Sequence, residues 1–492
     1  MASSVTIPRT MSTQHPDNVL MPFFARSSVI EGEDEIKEAF YAFSHLRCQE
    51  QMWDCEGKEI DEYVIKKLLV DYPYYFRERI IGRDVFITLR VPNPTVERDE
   101  AKILLETLES IPRSYDSARL FYDGDTPPIF EVILPMTTGA ACLNRVYHYY
   151  RDFVAGKEGR EFFPGDISIK EWIGEFRPKT ISVIPLIEDR DSLLRSDRIV
   201  EEYLRDKELP YLRVFLARSD PALNYSSLAT TLTLKVALQR LHVLERNLGI
   251  PIYPILGVGS VPFRGNFKPT NYRQVLAEYP SVQTYTIQSA FKYDYPNEMV
   301  TRAIREVERH SRGEPIPVEE EAALDIIAKV SAAYEKQLLP IAGLVNRVAR
   351  YVPARRARKL HIGLFGYARQ LAGVQLPRAI SFCAALYSLG LPPELLGIDA
   401  LEPGEVDFIR SVYPGFDHEL RDAASYFDPN VYKLLPAGLN SRIDRALALA
   451  DVRPDEAHQK ATSRIISCLI HEREEGIPDL IVEAAAIRRF LG

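Results

Sequence analysis

Short runs of β-branched, aromatic and leucine residues alternate with helix-like stretches, and this alternation constrains the fold more than any other feature of the chain. The runs occupy residues 47–54, 84–90, 129–135, 180–188, 211–217, 251–256, 282–287 and 361–365. Strands that alternate with helices pair in parallel through crossover helices. Eight such units predict an α/β fold, a (β/α)₈ TIM-like barrel, rather than an open sheet.

The rest of the sequence is mainly helical in pattern. The clearest helix covers residues 227–250, with Gly249 as its predicted C-cap, and apolar residues recur at helical spacing from about 320 onward. We predict a single catalytic domain over 1–492: an N-terminal segment at 1–46 that carries His15, a barrel core at 47–370 and a helical region at 371–492. These additional, mainly C-terminal helices would cover one end of the barrel or form a subunit interface, and residues 311–321 would be a linker.

The composition argues against several classes of protein. The net charge is −8 and no dense run of Lys and Arg occurs, which argues against a nucleic-acid partner. No apolar run reaches about 18 residues and the first ten residues contain no apolar core of a signal peptide, so we expect a cytoplasmic protein with no membrane partner. Five scattered cysteines predict reduced thiols rather than a disulfide framework or a zinc cluster.

Ionisable side chains follow most of the predicted strands, where barrel enzymes carry their chemistry. They are Arg90, Glu188, Asp220, Arg264, Lys292 and Arg369. Arginines can hold a phosphate or a carboxylate with two hydrogen bonds. Two separate carboxylates suit Mg²⁺ (or Mn²⁺), which keeps open positions for water and substrate.

Each of these residues also has an ordinary structural interpretation. Glu188 could cap or salt-bridge the next helix, Asp220 could be an N-cap or turn acid, and Arg369 and Arg378 could make surface ion pairs. His15, in the polar stretch STQHPDN at 12–18, could belong to a surface turn. The glycine-containing stretch that ends at 265 lacks the spacing of either nucleotide-binding motif, so we expect no ATP or NAD site there.

Seven stretches of the chain stand out as motifs, and the most specific is MSTQHPDNV at 11–19. The others are RVPNP (90–94), EVILPMTT (131–138), VIPLIED (183–189), GSVPFRGN (259–266), HIGLFGYAR (361–369) and LPRAISFCAALYSLGLPPELLG (376–397). Taken together, these motifs resemble the archaeal-type phosphoenolpyruvate carboxylase family, and the resemblance covers nearly the whole chain.

The resemblance implies a role for each candidate residue, by its place in these motifs. His15 and Arg264 would be catalytic, Glu188 and Asp220 would bind the metal, and Arg90, Arg369 and Arg378 would bind substrate. We add Lys292, which follows a predicted strand, to the substrate-binding candidates. The longer bacterial and plant enzymes have a histidine and a further arginine in the glycine-rich loop, and a lysine where this chain has Leu223. Their C-terminal Asn-Thr-Gly is also absent, so their inhibitory dicarboxylate site does not carry over.

The resemblance also implies the reaction. Phosphoenolpyruvate and bicarbonate would give oxaloacetate and phosphate irreversibly, through carboxyphosphate and a metal-stabilised pyruvate enolate, in a homotetramer. His15 would act as the base that removes a proton from carboxyphosphate, because a neutral imidazole accepts protons near neutral pH. Pro16 would stiffen the backbone beside it.

Two other functions remain open from the sequence. A metal-dependent barrel aldolase or lyase could act on a small oxo- or dicarboxylic acid with similar residues. Alternatively, the chain could be a non-catalytic scaffold that binds a partner through its C-terminal helices. Phosphate release that requires both phosphoenolpyruvate and bicarbonate would distinguish the carboxylase from both.

Overall fold

Eight parallel strands close into a barrel in the computed structural model, which describes residues 6–55, 61–98, 101–357, 370, 371 and 373–492. In chain order they are β1 (Thr10–Ser12), β2 (Glu50–Asp54), β3 (Phe86–Arg90), β4 (Glu131–Leu134), β5 (Ser182–Ile187), β6 (Leu212–Ala217), β7 (Ile252–Gly257) and β8 (Thr284–Ile287). Each strand pairs in parallel with its sequence neighbours, and β1 pairs with β8 to close the barrel. The predicted fold class is confirmed.

The barrel differs from the prediction in the strand that closes it. Six of the predicted runs contain β2 to β6 and β8, the run at 251–256 covers all of β7 except Gly257, and the run at 361–365 lies outside the described residues. The closing strand is β1, which lies in the segment 1–46 that we separated from the barrel core. Its sequence, Thr-Met-Ser, is too short and too polar to show a strand pattern, although all three residues are buried.

Helices surround the barrel and connect its strands. Those up to residue 309 are α1 (Glu33–Ser44), α2 (Val64–Asp71), α3 (Pro73–Glu78), α4 (Ala101–Tyr122), α5 (Ala140–Tyr149), α6 (Ile169–Ile173), α7 (Arg190–Leu193), α8 (Ser196–Leu204), α9 (Ser219–Tyr225), α10 (Ser227–Leu248), α11 (Tyr272–Glu278), α12 (Ser289–Tyr293) and α13 (Asn297–Arg309). The predicted helix at 227–250 is α10, and Gly249 ends it in the left-handed conformation, as predicted.

The C-terminal third is helical, as predicted. Its helices are α14 (Glu320–Leu338), α15 (Ala342–Ala349), α16 (Ala379–Ser388), α17 (Pro403–Val412), α18 (Phe416–Ala424), α19 (Leu439–Leu447), α20 (Glu456–Ile470) and α21 (Ile477–Arg488). A two-stranded hairpin, β9 (Gln370–Leu371) and β10 (Val374–Gln375), precedes α16. Irregular chain at 310–319 joins α13 to α14, where we expected a linker.

The C-terminal helices pack on the barrel through a shared apolar core. α14 lies along α10, α16 contacts α9, and α18 contacts the short turn Pro262–Arg264 that follows β7. Buried residues of these elements form one cluster, separate from the cluster that surrounds the strands. Since α9 and the 262–264 turn follow the carboxyl ends of β6 and β7, the helices cover part of the barrel's carboxyl end.

A buried ion network fills the opposite, amino end of the barrel interior. The Arg213 guanidinium on β6 donates to Glu50 on β2 and to Glu131 on β4, at distances of 2.6 to 2.9 Å. Thr88 donates to Glu50 from β3. The layer above is apolar and includes Met11, Met52, Ile133, Ile184, Leu186, Phe215, Ala217 and Ile255. The interior of the barrel is therefore packed with side chains. Residues that can act on a ligand lie at its carboxyl end.

All five cysteines are free thiols, as predicted. Over the described part of the chain, no single helix is both long and apolar enough to cross a bilayer; one pair of helical segments, Ala379–Ser388 and Pro393–Ala400, meets that criterion jointly but is bent by 89°.

Candidate active site at the carboxyl end of the barrel

His15 lies three residues after β1, on a loop at the carboxyl end of the barrel. Its Nδ1 is 2.9 Å from the Thr13 hydroxyl, and its side chain is partly exposed. Its carbonyl oxygen accepts hydrogen bonds from the amides of Asp17, at 3.1 Å, and Ser289, at 3.3 Å. The imidazole is therefore held at both the ring and the backbone while part of it stays accessible.

Buried polar side chains hold the rest of this loop. Gln14 accepts a hydrogen bond from the Asp54 amide at 2.9 Å, and Asp17 accepts one from the Ala290 amide at 2.7 Å. The Leu491 amide donates to the Asp17 carbonyl at 2.7 Å. Burial raises the pKa of Asp17, and the nearby Arg264 guanidinium partly offsets this effect. The loop is thus tied to β2, to α12 and to the last residues of the described chain.

Lys292, on α12, is wholly buried beneath the same loop. Its ammonium donates to Ser12 Oγ at 3.2 Å, to the Thr13 carbonyl at 2.9 Å and to Glu38 at 2.9 Å. Burial alone would raise the pKa of Glu38, but Arg356 and Lys292 lower it to about 2. Because an ammonium has three N–H donors, these contacts use its full donor capacity.

Arg90 and Asp54 end the neighbouring strands β3 and β2 and lie opposite each other in the register. The guanidinium donates twice to the carboxylate, from Nε at 2.8 Å and from Nη2 at 3.0 Å. The Arg90 side chain keeps 13% of its surface exposed, against 3% for Asp54. This pairing fixes the plane of the guanidinium at the end of the strand.

Glu188 and Asp220 follow the adjacent strands β5 and β6. The register pairs Ile187 with Leu216, so the two acids extend from neighbouring strand ends. Glu188 Oε2 accepts a hydrogen bond from the Met136 amide at 2.7 Å, and Met136 has a positive φ of 50°. Asp220 lies in the first turn of α9.

This pair of acids fits a hard divalent cation. Mg²⁺ commonly uses one or two carboxylates and completes its shell with water and substrate oxygens. Among the described residues, no group of three or more His, Cys, Asp or Glu side chains is arranged to hold a metal. Two carboxylates could hold such an ion together with water and substrate oxygens.

Arg264, in the turn after β7, is 1% exposed and lies at the centre of a buried network. Its Nε donates to Ser219 Oγ at 2.9 Å, Nη2 donates to Gln288 Oε1 at 2.5 Å, and Nη1 lies 2.9 Å from the Gly492 oxygen and 3.4 Å from Asp17 Oδ2. A Cβ at Gly259 would lie 3.2 Å from its Cζ. Glycine there lets the backbone approach the guanidinium closely.

One further predicted arginine lies at the start of α16. Arg378 is half-buried and directly precedes that helix. Arg369 lies outside the described residues. The structure thus places six candidates at one end of the barrel. Arg90 ends β3, and the others follow β1, β5, β6, β7 and β8, namely His15, Glu188, Asp220, Arg264 and Lys292.

The partners that position these side chains were not among the residues predicted from the sequence. Asp54, Asp17 and Gln288 all make the contacts described above, yet none was a candidate. Asp54 had a usable signal, because it ends a predicted strand as Arg90 does. Asp17 lies in the motif at 11–19, but its contact with Arg264 has no local signal, and neither has the contact of Gln288 with the same arginine.

The fold and the site together define a (β/α)₈-barrel protein whose carboxyl end carries two acids from neighbouring strand ends and several arginines. The sequence profile of the family described as phosphoenolpyruvate carboxylase matches residues 7–492. Curated relatives of that name share 53% identity in Methanothermobacter thermautotrophicus, 50% in Methanospirillum hungatei and 50% in Pyrococcus abyssi. Each alignment covers 99% of this chain and 100% of the relative. The chain belongs to the phosphoenolpyruvate carboxylase family.

One solved structure shows a weaker similarity. It is the malate synthase of Haloferax volcanii in a ternary complex with pyruvate and acetyl-CoA, with a TM-score of 0.37 and 11% identity. The match covers 62% of this chain and 70% of that one.

Proposed function

We propose that this chain catalyses the carboxylation of phosphoenolpyruvate by bicarbonate, which yields oxaloacetate and phosphate. The observation that carries the proposal is that relatives named for this enzyme match the whole chain at about half identity. The grouping of arginines and acids at one end of the barrel supports it. Both substrates are anions, which the arginines and a cation held by the acids would attract.

The arginines would bind and neutralise these anions. Arg90 is the best-placed candidate, because Asp54 holds its guanidinium plane while part of the side chain stays exposed. Arg378 is a second candidate, and Arg369, outside the described residues, is a third. Arg264 is buried, so we propose that it adds positive charge from behind Ser219 rather than through an exposed contact.

Glu188 and Asp220 would hold the divalent cation that the family requires in general, and we propose Mg²⁺ (or Mn²⁺). When bound, such a cation supplies positive charge that stabilises an oxyanion as negative charge builds up on it. Its preference for few protein oxygens agrees with the two acids that the adjacent strand ends provide.

His15 would move the proton that the reaction must lose. A bicarbonate oxygen attacks phosphorus, the bond between phosphorus and the enol oxygen breaks, and carboxyphosphate forms beside pyruvate enolate. His15 then accepts the carboxyl proton, the carbon–oxygen bond to phosphate breaks, and CO₂ and phosphate result. The enolate carbon attacks CO₂ to give oxaloacetate. The contact between His15 Nδ1 and the Thr13 hydroxyl and the partly exposed ring support this role.

We propose a positioning role for Lys292 in place of direct substrate contact. All three of its donors are used within the protein, on Ser12, Thr13 and Glu38. It joins α12 to the end of β1 and so fixes the base of the loop that carries His15. If the Lys292 ammonium turned from Glu38 to a substrate, the buried Glu38 carboxylate would lose one of its cations. Such a loss is unfavourable.

One assay tests the activity. Oxaloacetate and phosphate are measured with phosphoenolpyruvate, bicarbonate and Mg²⁺ present, and then with each omitted in turn. We expect both products to form together and to require all three components. Phosphate release without bicarbonate, or carbon–carbon cleavage of an oxo acid with neither substrate present, would favour the aldolase or lyase alternative.

We also propose that the chain forms a homotetramer and acts in the cytoplasm. The C-terminal helices bury their apolar faces against the chain's own core, so they leave little for a subunit interface. Exposed apolar side chains instead concentrate between 153 and 173, namely Phe153, Phe162, Phe163, Ile167, Trp172 and Ile173. Light scattering coupled to gel filtration should report a tetramer, and Trp172→Asp should shift it towards smaller species.

A further inference from the structure

A buried ion pair connects the C-terminal helix α18 to the turn that carries Asp220. Arg218 follows β6 and directly precedes α9, and its side chain is 1% exposed. Its Nη2 donates to both carboxylate oxygens of Glu419, on α18, at 2.7 and 2.9 Å. A charge pair this well shielded from water keeps most of its attraction.

Further contacts fix both partners of the pair. Ser227 donates to Glu419 at 3.2 Å, and Arg218 Nη1 donates to the Tyr279 hydroxyl at 3.3 Å. The start of α18 is closely seated as well, because a Cβ at Gly415 would lie 2.2 Å from a Glu278 carboxylate oxygen. α18 therefore has little freedom to move relative to α10 and α11.

Arg218 also shapes the turn itself. Its carbonyl oxygen accepts a hydrogen bond from the Ala222 amide at 3.0 Å and so closes the first turn of α9. Ser219 and Asp220 lie within that turn, and Ser219 accepts from Arg264 at 2.9 Å. The position of Asp220 relative to Glu188 thus depends on where Glu419 holds Arg218.

We propose that Arg218 and Glu419 form a positioning pair for the divalent-cation site. The inference rests on the proposed role of Asp220 as a metal ligand. Outer residues that orient metal ligands commonly change metal affinity 10- to 100-fold when they are replaced. Loss of Glu419 would let the turn relax and would also leave a buried guanidinium charge uncompensated two residues from the metal ligand.

The test measures Mn²⁺ binding directly, from the electron paramagnetic resonance signal of free Mn²⁺ titrated with the full-length protein. We expect Glu419→Gln to raise the Kd for Mn²⁺ about 10-fold. In steady-state assays the KM for Mn²⁺ should rise in parallel, whereas kcat at saturating Mn²⁺ should stay close to that of the wild type. Glu131→Gln is the matched control, because it breaks a similar buried pair with Arg213 at the opposite end of the barrel. It should lower thermal stability without changing the Kd for Mn²⁺.

A double variant, Arg218→Met with Glu419→Leu, covers the case in which Glu419→Gln does not fold. It removes both charges together, so no unpaired charge stays buried. Proteins often tolerate such a replacement. We expect the double variant to fold and to bind Mn²⁺ about 10-fold more weakly than the wild type does. Wild-type affinity in this variant or in Glu419→Gln would overturn the positioning role.

The same titration separates this inference from the metal assignment on which it rests. Asp220→Asn should abolish Mn²⁺ binding. If it binds Mn²⁺ as the wild type does, the assignment of Asp220 fails, and the positioning role fails with it. If Asp220→Asn loses binding while the Glu419 variants keep it, the positioning role alone is overturned.

Discussion

His15 and Arg90 are held by neighbours in different ways. The His15 ring contacts the Thr13 hydroxyl and stays partly exposed. Arg90 has two parallel hydrogen bonds to Asp54. A base that must take up and release a proton needs access, whereas a group that binds an anion gains from a fixed orientation.

His15→Asn should separate the two halves of the reaction. Asparagine keeps a polar side chain on the loop but cannot accept the proton at neutral pH. We expect bicarbonate-dependent cleavage of phosphoenolpyruvate to continue, with pyruvate in place of most of the oxaloacetate. A coupled malate dehydrogenase assay beside a phosphate assay measures the ratio of the two products. Oxaloacetate formation at the wild-type rate would remove His15 from the mechanism.

Arg90→Lys should lower kcat/KM for phosphoenolpyruvate about 100-fold, because lysine keeps the charge but cannot form the paired hydrogen bonds. Steady-state kinetics at saturating bicarbonate and Mg²⁺ measure the change. Arg83→Lys is the matched control, since Arg83 makes a similar double contact with Asp84 but is 60% exposed on the surface. An equal loss in both variants would contradict a specific role for Arg90.

The sequence predicted these side chains better than their partners. Arg90, Glu188 and Asp220 were recognisable because strand ends and motifs mark them. Lys292 follows a strand too, but its buried contacts with Ser12 and Glu38 depend on packing between distant segments. A residue that follows a strand can be assigned to one end of the barrel from the sequence. Whether its side chain points towards solvent or into the protein cannot be assigned in this way.

At the scale of elements, length and periodicity decided what could be predicted. α10 has 22 residues and a glycine cap, so its limits were clear from the sequence. β1 has three residues, too few for an alternation of apolar and polar side chains to be recognised. Its pairing with β2 and β8 makes it a strand, and a long-range contact of that kind leaves no local pattern.

Gly249→Ala should destabilise the protein by about 1 kcal/mol, because an alanine in the left-handed conformation is strained. Gly249 has a φ of 67°, and no heavy atom lies within 4 Å of an added Cβ, so the cost comes from the backbone alone. Thermal unfolding measures the effect, and kcat should not change.

Gly343→Ala is the control for that prediction, because Gly343 lies inside α15 with equally open surroundings. Alanine there should stabilise the helix by about 0.5–1 kcal/mol. Changes of the same sign in both variants would contradict the backbone argument.

At the scale of the whole molecule, the C-terminal helices form a second core that contains buried acids. Burial raises the pKa of Glu394 to about 8, although a hydrogen bond from the Tyr387 hydroxyl at 2.6 Å partly offsets the effect. The folded protein therefore keeps this proton up to about pH 8, whereas the unfolded chain loses it near 4.5. Since the folded state binds more protons in this interval, stability should fall as the pH rises from about 4.5 to about 8.

Glu394→Gln should remove that dependence. The variant should gain stability relative to the wild type by roughly 1 kcal/mol for each pH unit above about 5, until the gain levels off near pH 8. Urea unfolding at pH 5, 6, 7 and 8 measures the difference. Glu298→Gln, on the exposed first turn of α13, controls for the loss of a surface carboxylate and should show no such trend.

The contacts that connect the two cores could not be predicted from the sequence. The helical character of the last third was predictable from its periodicity, and its place over the carboxyl end of the barrel was one of two options left open. Arg218 and Glu419 are 201 residues apart, and neither lies in a motif that suggests the other. Such pairs arise only when complete elements have packed together.

The contacts that hold the loop around His15 come from segments made much later in synthesis. Ala290, which donates to Asp17, emerges 273 residues after it. The amide of Leu491, which donates to the Asp17 carbonyl, is made later still. The loop therefore leaves the ribosome long before these partners exist, and it can be held in its folded conformation only once they have been made.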